Sequence, residues 1–308
     1  MRDPRAGRGR RPGGRGPGLA GGAAGVTELE LIRRLLPHLA TAGGDLLIGP
    51  GEDDAAAWRE PDGTFTVATC DTSVEGVHFD LARQRPEAVG WRALCFALGD
   101  LAAKGARPTY GLVSLSMPRR WAAGVAEDVY RGMAALAAEV GLRIVGGDTT
   151  AAPTEGALTL TLLGTTPVRP VPRSAARPGW AVGVTGPLGG ASLAWERPRP
   201  RLALGGELAA ARLCCGDVSD GLLAELDKFA AAAGVGARLR LDAMPRAEGA
   251  SPLAALASGE EVELVCCGPA LPAGVHPVGE LTGDGNVVVL DAAGRPVEVA
   301  QRGYDHFA

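Results

Sequence analysis

The sequence predicts an α+β protein of two domains, each a mixed sheet packed with helices, and three observations lead there. At 308 residues the chain has room for two cores of roughly 150 residues each. Strand and helix periodicities are interleaved in both halves. A Pro-rich stretch at 167–178 reads as a connection, which puts the boundary between about 150 and 178.

Taken in order, residues 1–25 are Gly/Arg/Pro-rich and cannot bury a face, so they are expected to be a disordered tail, with ordered chain and translation itself starting at Val26. Thr27-x-x-Glu30 is a capping box before Leu29, Ile32, Leu35, Leu36 and Leu39 at helical spacing. Phe65, Val67 and Thr69 alternate as a strand ending at Cys70-Asp71. A helix is predicted over 87–104, stopped by Gly105, then a strand over 110–117 and a helix over 121–140, stopped by Gly141. The buried strand 142–145 runs into a Gly146-Gly147-Asp148 turn, and Leu158, Leu160 and Leu162 alternate as a further strand. The second half repeats the pattern: strand 180–185, a Gly-rich turn at 186–190, helices near 190–195 and 203–213, a helix opened by Asp217-Val-Ser-Asp-Gly221, and short strands at 236–241, 262–267, 275–281 and 286–290.

Composition narrows the function. The net charge is −4, but six arginines against one aspartate give residues 1–25 an excess of five positive charges, leaving the body nine negative. So acidic a body excludes a nucleic-acid binder held by phosphate contacts and suits a protein that needs cations before it can hold an anion. Six cysteines without a C-x-x-C, two pairs of them adjacent, read as small apolar residues of a cytoplasmic protein. No run of apolar residues is long enough to span a membrane.

Standard phosphate cradles are missing. There is no G-x-x-x-x-G-K-[ST], and the chain has only two lysines, Lys104 and Lys228. Four scattered histidines and no H-E-x-x-H argue against a zinc hydrolase. Instead, aspartates recur at element ends: Asp53 and Asp54 in a Gly/Pro turn, Asp71, Asp148, and Asp217 and Asp220 around a helix start. Asp100 lies inside an apolar helix, its only near basic residue Lys104 at i+4. A buried carboxylate is costly unless something cationic meets it. Singly these residues are caps or turn formers; together, several hard oxygen ligands with few basic counterparts read as a Mg²⁺ site whose further ligand is a polyphosphate, and hence as phosphoryl-transfer machinery.

The stretches Gly49-Pro-Gly-Glu-Asp-Asp-Ala-Ala-Ala, Thr69-Cys-Asp-Thr-Ser-Val-Glu-Gly-Val-His-Phe, Leu98-Gly-Asp-Leu-Ala-Ala-Lys-Gly-Ala-Arg-Pro, Gly146-Gly-Asp-Thr-Thr, Arg173-Ser-Ala-Ala-Arg-Pro-Gly, Asp217-Val-Ser-Asp-Gly-Leu and Gly303-Tyr-Asp-His-Phe occur in this order. In them the chain resembles the thiamine-monophosphate kinases, of the superfamily named for aminoimidazole ribonucleotide synthetase. The resemblance implies a two-domain aminoimidazole ribonucleotide synthetase-like fold, with a tail at 1–25, an N-terminal ATP/Mg-binding and dimerisation domain at 26–151 and a C-terminal domain at 152–308. It implies a cytoplasmic homodimer, joined through its N-terminal sheets, that phosphorylates thiamine phosphate to thiamine diphosphate with ATP and Mg²⁺.

By the same resemblance, Thr69, Asp71, Asp100, Asp148 and Asp217 hold the metal with either Asp53 or Asp54, since the turn carries one extra residue, and Asp220 binds a further ion. Gly147, Asp148, Arg173 and Ser219 lie on ATP, and His78, Glu260 and Tyr304 on thiamine phosphate. The chain departs from the family at Cys70 for a threonine, Gly99 for a serine, Lys104 for a methionine, and Glu261-Val262 for an Asp-Tyr pair. The alternatives are another ATP-dependent synthase or ligase of the superfamily and a catalytically silent nucleotide-binding paralogue.

Overall fold

The computed structural model describes residues 26–39, 42–191 and 195–307. The expected tail at 1–25 and the middle of the helix expected near 190–195, residues 192–194, lie outside the described residues. Helix α1, Glu28–Leu35, starts where the capping box puts it, with Thr27 accepting the Glu30 amide.

The first sheet runs β1-β2-β3-β6-β4-β5, from β1 (Leu46–Ile48), β2 (Ala56–Arg59), β3 (Phe65–Val74), β4 (Arg107–Pro118), β5 (Arg143–Ala152) and β6 (Ala157–Thr166). Strand β6 buries every second residue and lies at the centre, between β3 and β4. A boundary at 151 would cut it from its partners, so the chain of the first sheet extends to Thr166. Strand β5 is also longer than expected: Gly146-Gly147-Asp148 is no turn but continues the edge strand, paired in parallel with β4.

Helices α2 (Pro86–Ala103) and α3 (Ala123–Val140) cover one face of this sheet, packing Trp91, Leu94, Leu98 and Met133 onto Val67, Leu160 and Val113. Their approach is close, because a side chain at Gly90 would overlap the Val129 carbonyl and one at Gly132 the Glu87 carbonyl. Helix α2 is apolar nearly all round, which marks a helix buried on every side. Its C-terminal Ala102 and Ala103 pack against Leu208, Leu213, Cys215 and Leu264 of the second half.

The second sheet runs β13-β12-β9-β11-β7-β10-β8, from β7 (Ala181–Val184), β8 (Cys214–Asp217), β9 (Gly236–Arg240), β10 (Leu264–Gly268), β11 (His276–Thr282), β12 (Val287–Leu290) and β13 (Pro296–Val297). Both sheets are mixed, with β4/β5 and β9/β12 parallel. Helices α4 (Leu202–Ala210), α5 (Leu222–Ala233) and α6 (Pro252–Ala257) complete the half. The cysteine doublets face each other across β8 and β10, Cys215 opposite Cys266 and Cys214 opposite Cys267, all four buried thiols. Among the described residues no helix is long and apolar enough to cross a membrane.

Candidate active site

Three segments far apart in sequence meet where α2 ends. The turn after β1 brings Asp54, α2 brings Asp100 and the end of β8 brings Asp217, each with a carboxylate oxygen within 4.8 Å of the others. Thr69 on β3 donates its hydroxyl to Asp100 Oδ2, and Asp71, two residues on, lines the same cavity of about 420 Å³. Gly99 lets Asp217 lie against α2: a Cβ there would stand 3.1 Å from Asp217 Oδ2.

The electrostatics of the cluster are unbalanced. Burial, with the neighbouring carboxylates, pushes the Asp100 and Asp217 carboxyls well above the ordinary range, and Asp71 is raised for the same reasons. Burial would raise Asp54 too, but Arg173, Lys228 and Lys104 outweigh it and hold that carboxyl low. Asp217 Oδ1 is buried with no hydrogen-bond partner among the described residues. A buried acceptor left unpaired costs about 1–3 kcal/mol or more, so the site is built for something that meets it. The donors are oxygens throughout, the set a hard divalent cation such as Mg²⁺ takes.

Asp53 does not join the cluster. It is turned away and fully buried against Lys104, Nζ to Oδ1 2.5 Å, so of the two turn aspartates Asp54 faces the other carboxylates. Lys104 therefore does not answer Asp100, as the i+4 spacing suggests. Arg173, expected on the nucleotide, is engaged within the protein: its guanidinium pairs with Asp54 and, at 2.6 Å, with Glu225, and its amide donates to Asp53 Oδ2 at 2.9 Å. Its Nε is buried and has no partner among the described residues, a donor left over beside the site. Lys228 bridges Asp220, at 2.9 Å, and Glu225, at 2.5 Å, and Ser219 borders the same cavity. Burial disfavours the Lys228 ammonium, but Glu225, Asp54 and Asp220 more than offset it and raise its pKa.

The cavity continues away from the cluster to His78 and Glu260. His78 Nδ1 accepts the Val74 amide at 3.1 Å, which puts the proton of the neutral ring on Nε2, and burial with the nearby His306 lowers its pKa. The His78 and His306 rings are 5.1 Å apart, and Tyr304 meets His306 edge-on at 4.9 Å. Glu260 adopts φ 54°, a left-handed conformation that a non-glycine residue holds only under constraint, and its carboxylate lies 2.6 Å from Arg92 Nη2. Burial raises the Glu260 carboxyl despite that arginine. The amides of Glu260 and Tyr304 donate to the Ser219 and Asp220 carbonyls, at 2.7 and 2.9 Å, so one loop joins the two ends of the site. Tyr304 borders a second cavity of about 700 Å³, which shares Asp54, Asp220 and Lys228 with the first.

Gly147 and Asp148 are not brought to the cluster within one chain. Asp71, Leu160, Val113 and Gly147 stand in line across β3, β6, β4 and β5, so Gly147 is three strand steps, about 14 Å, from Asp71. Asp148 falls in line with Thr72, Thr159 and Ser114, on the sheet face opposite the helices. The changed pair at 261–262 is split: Val262 lies in the hydrophobic core, whereas Glu261 lines the cavity and accepts the Gly189 amide at 2.6 Å and the Ser258 hydroxyl at 2.8 Å.

Sequence reasoning missed Glu225, His306, Arg92 and the part played by the lysines. The signal was present in the last case, since a chain with only two lysines places both at its acidic cluster.

Residues 52–166 match the family described as AIR synthase related protein, N-terminal domain, a span that includes the Asp53–Asp54 turn, Asp71, Asp100 and Asp148. The chain is similar to the solved structure of AaThiL complexed with AMPPCP and TMP, with a TM-score of 0.79 and 26% identity over 92% of this chain and 97% of that one. It is similar, too, to the thiamine-monophosphate kinase of Stenotrophomonas maltophilia K279a, at a TM-score of 0.65 and 29% identity over 84% and 94% of the two chains. Among curated proteins, the thiamine-monophosphate kinase of Rhodopirellula baltica is 34% identical over 252 residues, 76% of this chain and 78% of that protein. With an aspartate cluster assembled from both halves of the chain and that identity running across most of its length, this chain belongs to the thiamine-monophosphate kinase family.

Proposed function

We propose that this protein transfers the γ-phosphoryl group of ATP to thiamine phosphate, giving thiamine diphosphate and ADP, in a Mg²⁺-dependent reaction. The observation that carries the reading is the convergence of Asp54, Asp100 and Asp217 beside a cavity that runs on to His78 and Glu260. Asp54, Asp71, Asp100 and Asp217 would hold Mg²⁺, with Asp220 nearby for a further ion, and the chemistry such a metal would supply is neutralisation of phosphate charge. Arg173 and Lys228 add fixed positive charge to the larger cavity, where the nucleotide phosphates would lie, and Lys228 borders the smaller one as well. Ser219 and Arg173 Nε offer hydrogen bonds to the same anion. At the other end, His78 and Glu260 would grip the acceptor, with Tyr304 joining them from the larger cavity through its ring contact with His306, the rings against its heterocycles and the carboxylate on its cationic or amino groups. The chain supplies placement and charge, which is what phosphoryl transfer needs most.

A second copy of the chain completes this reading. The face of the first sheet opposite the helices exposes Tyr110 and Leu112, with Val145 exposed on the edge strand β5, and a homodimer joined there would cover them. Asp148 lies on that same face, so such a dimer would set Gly147 and Asp148 of one copy against the sheet of the other. On this view the N-terminal domain carries the dimer contact and the C-terminal domain, beginning after Thr166, carries Asp217, Ser219 and Asp220.

The test is an acceptor screen. ADP release from Mg-ATP should depend on thiamine phosphate and stay at background with hydroxymethylpyrimidine phosphate or thiazole phosphate. Release with a half-molecule and not with thiamine phosphate would reassign the acceptor, and ATP binding without any acceptor-dependent release would favour the silent paralogue.

A further inference from the structure

We propose that Lys104 is a positioning residue, a buried cation bonded to each of the three segments that carry Asp54, Asp100 and Asp217, and that it thereby sets the divalent-cation affinity of the site. The inference rests on the reading of those three carboxylates as the Mg²⁺ site.

Lys104 follows the last turn of α2, and its side chain is fully enclosed. Its amide donates to the Asp100 carbonyl at 3.3 Å, closing the helix turn that presents Asp100. Its ammonium lies 2.5 Å from Asp53 Oδ1, one residue before Asp54, and donates at 2.7 Å to the carbonyl of Cys215, two residues before Asp217 on β8. An ammonium taken out of water is retained only where bonds of this quality meet it, so these contacts hold one geometry firmly. The pair with Asp53 also protects Asp54. Arg173 Nη1 stands 3.7 Å from Asp53, and a buried Asp53 without Lys104 would compete for the guanidinium that now pairs with Asp54. A methionine, the residue the resemblance leads one to expect at this position, would fill the volume but make neither side-chain bond. Here the side chain does two things at once: it locks the Asp53–Asp54 turn to the helix, and it fixes how far β8 stands from that turn.

Supporting groups behind metal ligands typically contribute about 10- to 100-fold to metal affinity, and Lys104→Met should fall in that range. The measurement is calorimetric titration of Mg²⁺ into the full chain in the presence of a non-hydrolysable ATP analogue, alongside kinetics at varied Mg²⁺. Lys104→Met should bind Mg²⁺ at least tenfold more weakly and need correspondingly more of it for half-maximal turnover, with the KM for thiamine phosphate unchanged, because no group assigned to the acceptor touches Lys104. A folded Lys104→Met protein with Mg²⁺ affinity within twofold of wild type overturns the proposal. Where the single variant fails to fold, Lys104→Met with Asp53→Asn removes both buried charges together: weakened Mg²⁺ binding in that folded protein supports the proposal, and wild-type affinity overturns it. Absence of Mg²⁺ binding by the wild-type chain would instead overturn the metal reading beneath it.

Discussion

Asp54 and Asp217 share one cluster, yet Asp54 is paired with Arg173 while Asp217 Oδ1 has no hydrogen-bond partner among the described residues. The asymmetry has a consequence for stability against pH. The Asp100 and Asp217 carboxyls are raised in the folded chain, so the folded state holds their protons more tightly than the unfolded chain does. That contribution is complete below the ordinary carboxylate range and is lost as pH rises through the raised values. Mg²⁺ held by the cluster would favour the ionised carboxylates and oppose the loss. The rise in Tm produced by Mg²⁺ over EDTA should therefore grow between pH 5 and pH 8, and a rise independent of pH would contradict this electrostatic picture.

Asp100→Asn tests the cluster directly. It keeps the shape and one acceptor for Thr69 but removes a charge from the centre of the site. ATP turnover should fall by at least a hundredfold with Tm equal to or above that of wild type, because like-charge repulsion is relieved. Near-normal turnover would remove Asp100 from the mechanism.

Arg173→Met should act on fold and function together. It leaves Asp54 and Glu225 buried without their guanidinium, and breaking a buried pair from one side costs about 3–5 kcal/mol. Denaturant unfolding should show that loss, together with weaker ATP binding. A stability change below about 1 kcal/mol would mean that the buried network holds without its arginine.

The acceptor end should separate from the ATP end. Tyr304→Ala should raise the KM for thiamine phosphate several-fold and leave that for ATP unchanged, because the ring packs edge-on against His306, whose ring in turn lies 5.1 Å from that of His78. Equal effects on both constants would place Tyr304 in the support of the whole site.

Much of the fold was legible in local pattern. The Thr27 cap, the helices α2 and α3 and the alternation of β6 follow from side-chain type and spacing alone. What could not be read was which strands become neighbours. Gly146-Gly147 looks like a turn in sequence, but parallel pairing with β4 draws it into an extended edge strand and places Asp148 three strands from Asp71. In sequence Lys104 is the one basic residue near Asp100, at i+4, whereas tertiary packing offers it a buried carboxylate on another segment. Of the site, the aspartates were legible because their residue type is costly where they lie. Glu225 and Arg92 were not, since their importance comes only from the partners the fold brings to them.

The most direct test of the central claim is phosphorus NMR of the purified chain with Mg-ATP and thiamine phosphate. Thiamine diphosphate should form in step with ADP, cease when EDTA removes the metal and resume when Mg²⁺ is restored. ADP that accumulates at the same rate without thiamine phosphate, or inorganic phosphate formed in place of thiamine diphosphate, would contradict it.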